Sequence, residues 1–162
     1  MISQKLQDAI NAQIVAEMWS ANLYLSMSYF FAAKGYEGFA SWMKAQAHEE
    51  NDHADMLAQY VMKRGGQAKV GAVDAVPQEW ASPLDVFEHV YKHECHVSEL
   101  IDKLVDVASA EKDKASQDFL WGFVREQWKR KLPFKVFWTR SSWVVMWLCI
   151  TWIFSLAQEN KR

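Results

Sequence analysis

Helix-breaking residues are so sparse in this chain that its first 127 positions divide into four long stretches of helical periodicity. The first is predicted from about Ser3 to Ala33, stopped by Gly35, and the second from about Glu37 to Arg64, stopped by Gly65-Gly66. The connection "QAKVGAVDAVPQEWAS" follows, without helical spacing. Ser82-Pro83-Leu84-Asp85 then reads as a capping serine, a first-turn proline and a first-turn acid, opening a third helix that lasts to about Ala110. Asp113 can cap the fourth, which begins "KASQDFLWGFVREQ". Six glycines and three prolines in 162 residues fit one mainly helical domain.

Two long hairpins joined by a long connection predict an all-α four-helix bundle with one long crossover between the second and third helices. Spacing of three and four residues gives each helix one seam. The seams are Ile10, Ile14, Glu17, Ala21, Tyr24, Ser28, Phe31; Phe39, Met43, Gln46, Glu50, His53, Leu57, Tyr60; Phe87, Val90, Glu94, Val97, Ile101, Leu104, Ala108; and Ser116, Leu120, Phe123, Gln127. Glu17, Glu50, Glu94 and Gln127 each lie about a dozen residues into their helices. Mid-points of antiparallel helices meet, so these side chains are expected to converge in the core.

Buried carboxylates cannot all stay ionised unaided, because desolvation costs several kcal/mol each and they repel one another. They can protonate, pair with a buried cation or bind metal. No seam position of the first three helices carries Arg or Lys. A single seam glutamate could simply face a solvated groove. Three at matched depth, with Glu50-x-x-His53 on one helix face, point to a dinuclear metal site. Oxygen ligands with one imidazole suit iron or manganese better than zinc.

The stretches "IVAEMWSANLYLSMS", "GFASWMKAQAHEENDHA", "VFEHVYKHECHVS" and "DFLWGFVREQ", with the crossover, resemble the bacterial non-haem ferritins over residues 1–127. The resemblance implies a ferritin-like bundle in a hollow shell of 24 identical subunits. It also implies ferroxidase activity, in which dioxygen or peroxide oxidises Fe(II) within each bundle and ferric mineral is stored inside. On the same resemblance Glu17, Glu50 and His53 would bind one iron. Glu50 would bridge to a second iron that Glu94 approaches, with Gln127 beside it. Tyr24 resembles the family's redox-active tyrosine, and Glu49 and Glu126 resemble part of an accessory third iron site.

Other features carry weaker expectations. The formal charge of −2 gives no electrostatic reason for a nucleic-acid partner. Two cysteines make no disulfide framework, and the start "MISQKLQDAI" lacks a secretory pattern, so a cytoplasmic protein is expected. The longest apolar run, Trp143 to Phe154, would span about 18 Å as a helix against a bilayer core of roughly 30 Å, so a membrane span is not expected. His89, His93 and His96 form a stripe beside the third seam that reads as a solvated or subunit-contact face. Cys95 points off the seam and reads as structural. Trp19 and Trp42 could line subunit contacts or pack the core.

Beyond Gln127 the chain changes character. Residues 1–127 hold 11 basic and 19 acidic residues, whereas residues 128–162 hold seven and one, along with five of the nine tryptophans. Residues 128–162 are therefore set apart as an atypical segment where the rest of the fourth helix belongs. Lys129 and Arg130 stand where the family has oxygen ligands, which predicts a weakened second iron position and impaired ferroxidase activity. A cation about 4 Å from a metal opposes its binding by roughly 4 kcal/mol per unit of metal charge. Pro133 lacks an amide hydrogen and costs about 3 kcal/mol inside a helix, so the fourth helix is expected to kink or end near Lys131.

The genetic code offers a reason for the change. Trp128-Lys129 must be encoded TGG-AAR, and the offset frame reads xTG-GAA, forcing glutamate. Residues 128 to about 154 are thus expected to be an out-of-frame reading, with "SLAQENKR" back in frame. The rival readings are a helical module with a membrane- or partner-binding Trp-rich tail and a catalytically impaired shell subunit.

Overall fold

The computed structural model describes the backbone of residues 1–140 and the side chains of residues 1–131. Its four helices are α1 (Gln4–Ala33), α2 (Glu37–Lys63), α3 (Pro83–Ala110) and α4 (Lys114–Arg140). The architecture is an all-α four-helix bundle.

Side-chain caps close the starts of α1, α3 and α4, those of α3 and α4 as expected. The Ser3 and Ser82 hydroxyls accept from the amides of Leu6 and Asp85, each at 3.2 Å, and the Asp113 carboxylate accepts from the Ser116 amide at 3.0 Å. At the end of α2, Gly65 takes a φ of 77°, which costs a residue without Cβ little. Gly66 is needed for space: a Cβ there would lie 2.5 Å from Gln7 Oε1 and 2.9 Å from Ile2 Cγ2.

The crossover runs along α1. Its start is held by Gln7 Oε1 and Asn11 Oδ1, which accept from the amides of Gln67 (2.9 Å) and Lys69 (3.0 Å). Further along, the Ser26 hydroxyl donates to the Pro77 carbonyl at 2.7 Å. The connection thus returns the chain the length of α1, and α3 can run back antiparallel to it.

The core has two apolar parts separated by a polar layer. Leu6, Ile10, Ile14, Leu57, Val61, Ile101, Leu104, Leu120 and Phe123 pack in one. Leu23, Met27, Phe31, Trp42, Met43, Val86, Phe87 and Val90 pack in the other. Between them lie buried Glu17, Glu50, His53, Glu94 and Gln127. The seam positions read from the sequence are buried, with Phe39, Gln46 and Tyr60 half-buried. Tyr60 stacks on Phe119 with ring centres 3.9 Å apart, and Arg64 pairs with Asp113 at 2.9 Å, tying the end of α2 to the start of α4.

The fourth helix does not end near Lys131: α4 passes Pro133 and continues to Arg140. Proline removes a single amide hydrogen bond, to the Lys129 carbonyl, and the helix runs on past it. Of the residues assigned to the offset reading, 141–154 lie outside the described residues, as does the whole Trp143–Phe154 apolar run. Among the described residues no helix is long and apolar enough to cross a membrane.

Candidate metal centre

Helical spacing puts Glu50 and His53 on one face of α2, and the imidazole Nδ1 lies 3.1 Å from Glu50 Oε2. Across from them, Glu17 of α1 accepts a hydrogen bond from Gln13 Nε2 at 2.7 Å through Oε1. Its Oε2 is buried with no hydrogen-bond partner and lies 4.0 Å from His53 Nδ1. Glu17, Glu50 and His53 each offer one ligand atom, and these atoms all lie within 4.8 Å of one another. An unpartnered buried carboxylate oxygen is costly, and a cation placed among these atoms would satisfy it. The donor set therefore fits one metal ion.

The other oxygen of Glu50 meets something different. Arg130 reaches in from α4, its Nη1 donating to Glu50 Oε1 and standing 3.6 Å from Glu94 Oε1. Its Nη2 lies 3.1 Å from Glu49 Oε2 and 3.7 Å from Glu126 Oε1. Helical side chains lean toward the N-terminus, so residue 130 can serve the level of Gln127. Glu94 Oε1 also accepts from the Tyr24 hydroxyl, while Glu94 Oε2 is buried without a partner. Gln127 is buried, with Oε1 3.4 Å from Ser98 Oγ. Lys129, one residue round the helix, is exposed and makes no ion pair among the described residues, so of the two cations only Arg130 enters the site.

These contacts set the protonation of the site. Burial, helped by the neighbouring Glu50 charge, raises Glu17 to about 8. Burial pushes Glu50 the same way, but Arg130 and His53 outweigh it and bring the carboxyl down to about 2. Burial opposes the His53 charge, yet its hydrogen bonds to Glu126, 3.1 Å from Nε2, and to Glu50 raise it to about 10. Burial also raises Glu94, against the pull of Arg130. Without metal the site is therefore neutralised by Arg130, by protonated His53 and by a proton on Glu17. A metal ion entering here must displace protons.

Several expectations change in detail. Tyr24, two seam positions on from Glu17, donates its hydroxyl to Glu94. His93 is not on a solvated face: it is buried, 2.9 Å from Ser20 Oγ, because small Ser20 lets α1 close over α3 there, and burial lowers it to about 4. His89 accepts from Trp80 Nε1 at 3.1 Å, and only His96 of the stripe is exposed. Cys95 is half-buried and free. Trp42 packs edge-on to Tyr24 with ring centres 6.4 Å apart, and Trp19 leans on His93 at 5.4 Å. Gln13, which orients Glu17, was legible only as a polar residue four positions before it.

Residues 7–135 match the model of the ferritin-like domain family. The chain belongs to the ferritin family. It is 66% identical over 127 residues to a bacterial non-heme ferritin of Bacteroides fragilis, covering 78% of this chain and 80% of that one. A Campylobacter jejuni bacterial non-heme ferritin is 35% identical over 135 residues, covering 83% and 81%. Among solved structures, an engineered closed form of the Archaeoglobus fulgidus ferritin is 39% identical, with a TM-score of 0.82 over 93% of this chain and 95% of that one. The function that goes with this membership is iron storage.

Proposed function

We propose that each ferritin bundle takes up Fe(II) at Glu17, Glu50 and His53, supports its oxidation by dioxygen or peroxide, and delivers Fe(III) to mineral in a shell of 24 copies in the cytoplasm. The observation that carries this reading is the unpartnered Glu17 Oε2, buried and facing His53 Nδ1 and Glu50. Glu17 and Glu50 supply charge to hold the ion, and His53 supplies a nitrogen once its proton has left. Tyr24, hydrogen-bonded to Glu94, would give an electron to the dioxygen or peroxide being reduced.

The family's di-iron chemistry also needs a position beside Glu94 and Gln127, with Glu49 and Glu126 serving a third. Those carboxylates are engaged by Arg130, which supports a shell subunit with impaired ferroxidase activity as the form this chain takes. The atypical segment begins after Gln127 in this reading, and DNA sequencing across codons 128–154 tests whether it is an offset translation.

The functional test is aerobic addition of Fe(II) to the full chain and to Glu50→Ala, followed by absorbance. Slow oxidation by the parent that is lost in Glu50→Ala supports the reading. Equal rates from the two would overturn it.

A further inference from the structure

We propose that Arg130 is a resident cation that fills both metal positions on the Glu94 side, so that each chain binds one divalent ion at this centre. The inference rests on the metal reading of Glu17, Glu50 and His53 and adds the count, the cause of the count and the residue that sets it.

The geometry divides the work between the two ends of one guanidinium. Nη1 stands between Glu50 Oε1 and Glu94 Oε1, the two carboxylates a second ion would share. Nη2 stands between Glu49 Oε2 and Glu126 Oε1, the pair an accessory ion would use. A planar guanidinium with donors in a fixed fork suits such paired carboxylates, whereas an ammonium would serve as a point charge. Metal–carboxylate bonds are roughly 2 Å long, so an ion bridging Glu50 and Glu94 would have to occupy the volume that Nη1 occupies. The exclusion is steric as well as electrostatic.

Arg130 has little room to step aside. Its side chain is only 10% exposed, and leaving would strip the positive partner from Glu49 and Glu94 and leave Glu50 and Glu126 with His53 alone. Glu50 makes the arrangement one-sided. It gives Oε1 to Arg130 and keeps Oε2 toward His53 Nδ1, so the first position stays available while the second is filled.

The test is calorimetric titration of the full chain with Zn(II), which binds without redox chemistry. Ions bound elsewhere are counted in Glu50→Ala and subtracted. One Zn(II) per chain is expected for the parent and none for His53→Ala. Arg130→Gln should gain at least one further ion, and Arg130→Lys, which keeps a charge there, should stay at one. If Arg130→Gln unfolds without metal, refolding with two Zn(II) per chain supports the proposal and failure to refold with Zn(II) overturns it. Two ions in the parent, or one in a folded Arg130→Gln, would also overturn it while leaving the first site intact. An unchanged count in His53→Ala would instead remove the metal reading beneath it.

Discussion

On one side of Glu50 the bundle balances buried charge with protons, and on the other it supplies its own cation. Toward Glu17 and His53 the buried charge is balanced by protons: His53 is raised to about 10 and Glu17 to about 8. In the proposed function those protons give way to a metal ion. Toward Glu94 the balance comes from Arg130, whose pKa is held far above any working pH by Glu50 and Glu94 against the cost of burial. It cannot be exchanged. The same problem, carboxylates in an apolar interior, thus has a reversible answer and a permanent one a few ångströms apart, with a single carboxylate serving both.

Removing that shared carboxylate breaks the comparison most severely. Glu50→Ala should abolish metal binding and leave buried Arg130 short of its main partner, a loss of about 3–5 kcal/mol for a broken buried pair. Urea unfolding together with Zn(II) titration checks both effects. Converting the second side into the kind of side the first is comes next. Arg130→Glu should raise the Fe(II) oxidation rate at least tenfold, about 1.4 kcal/mol in the barrier, as read by stopped-flow absorbance. An unchanged rate would mean that Arg130 does not limit turnover.

Tyr24→Phe probes the Glu94 side more gently. It removes the hydroxyl that donates to Glu94 Oε1, at a cost of about 1–2 kcal/mol in denaturant unfolding, and should leave Zn(II) affinity at Glu17, Glu50 and His53 unchanged. The smallest effect lies far from both sides, at the Arg64–Asp113 pair. Burial opposes the Asp113 charge, but hydrogen bonds from Arg64 and Ser116 hold its carboxyl below the usual 3.8. The pair's contribution should be full above that value and lost as pH falls through the lower folded one. Thermal melts below pH 4 should therefore show a loss of about 0.5–1 kcal/mol that Asp113→Asn does not show.

Much of this is legible in the sequence. Gly35, Gly65, Ser82-Pro83 and Asp113 mark helix ends by local chemistry, so the boundaries agree closely with those observed. The depth of Glu17, Glu50, Glu94 and Gln127 followed from antiparallel mid-points meeting, which needs only helix length. Side-chain reach was less legible. Seam spacing put Arg130 in opposition to metal, but not its fork across four carboxylates, which depends on how a long side chain leans along its helix. His93 looked solvated because its burial comes from α1, where small Ser20 permits close approach. Tyr24 enters by family resemblance alone, and that its hydroxyl crosses the bundle to Glu94 depends on side-chain reach. Pro133 was weighed as a local break, while the helix on either side of it holds through to Arg140.

The most direct test of two unlike sides to Glu50 is a crystal of the full chain soaked in Zn(II) and recorded at the zinc absorption edge. The account predicts one anomalous peak at this centre, between Glu17, Glu50 and His53, with the Arg130 guanidinium still lying between Glu50 and Glu94. A second peak between Glu50 and Glu94, with Arg130 displaced, would contradict it.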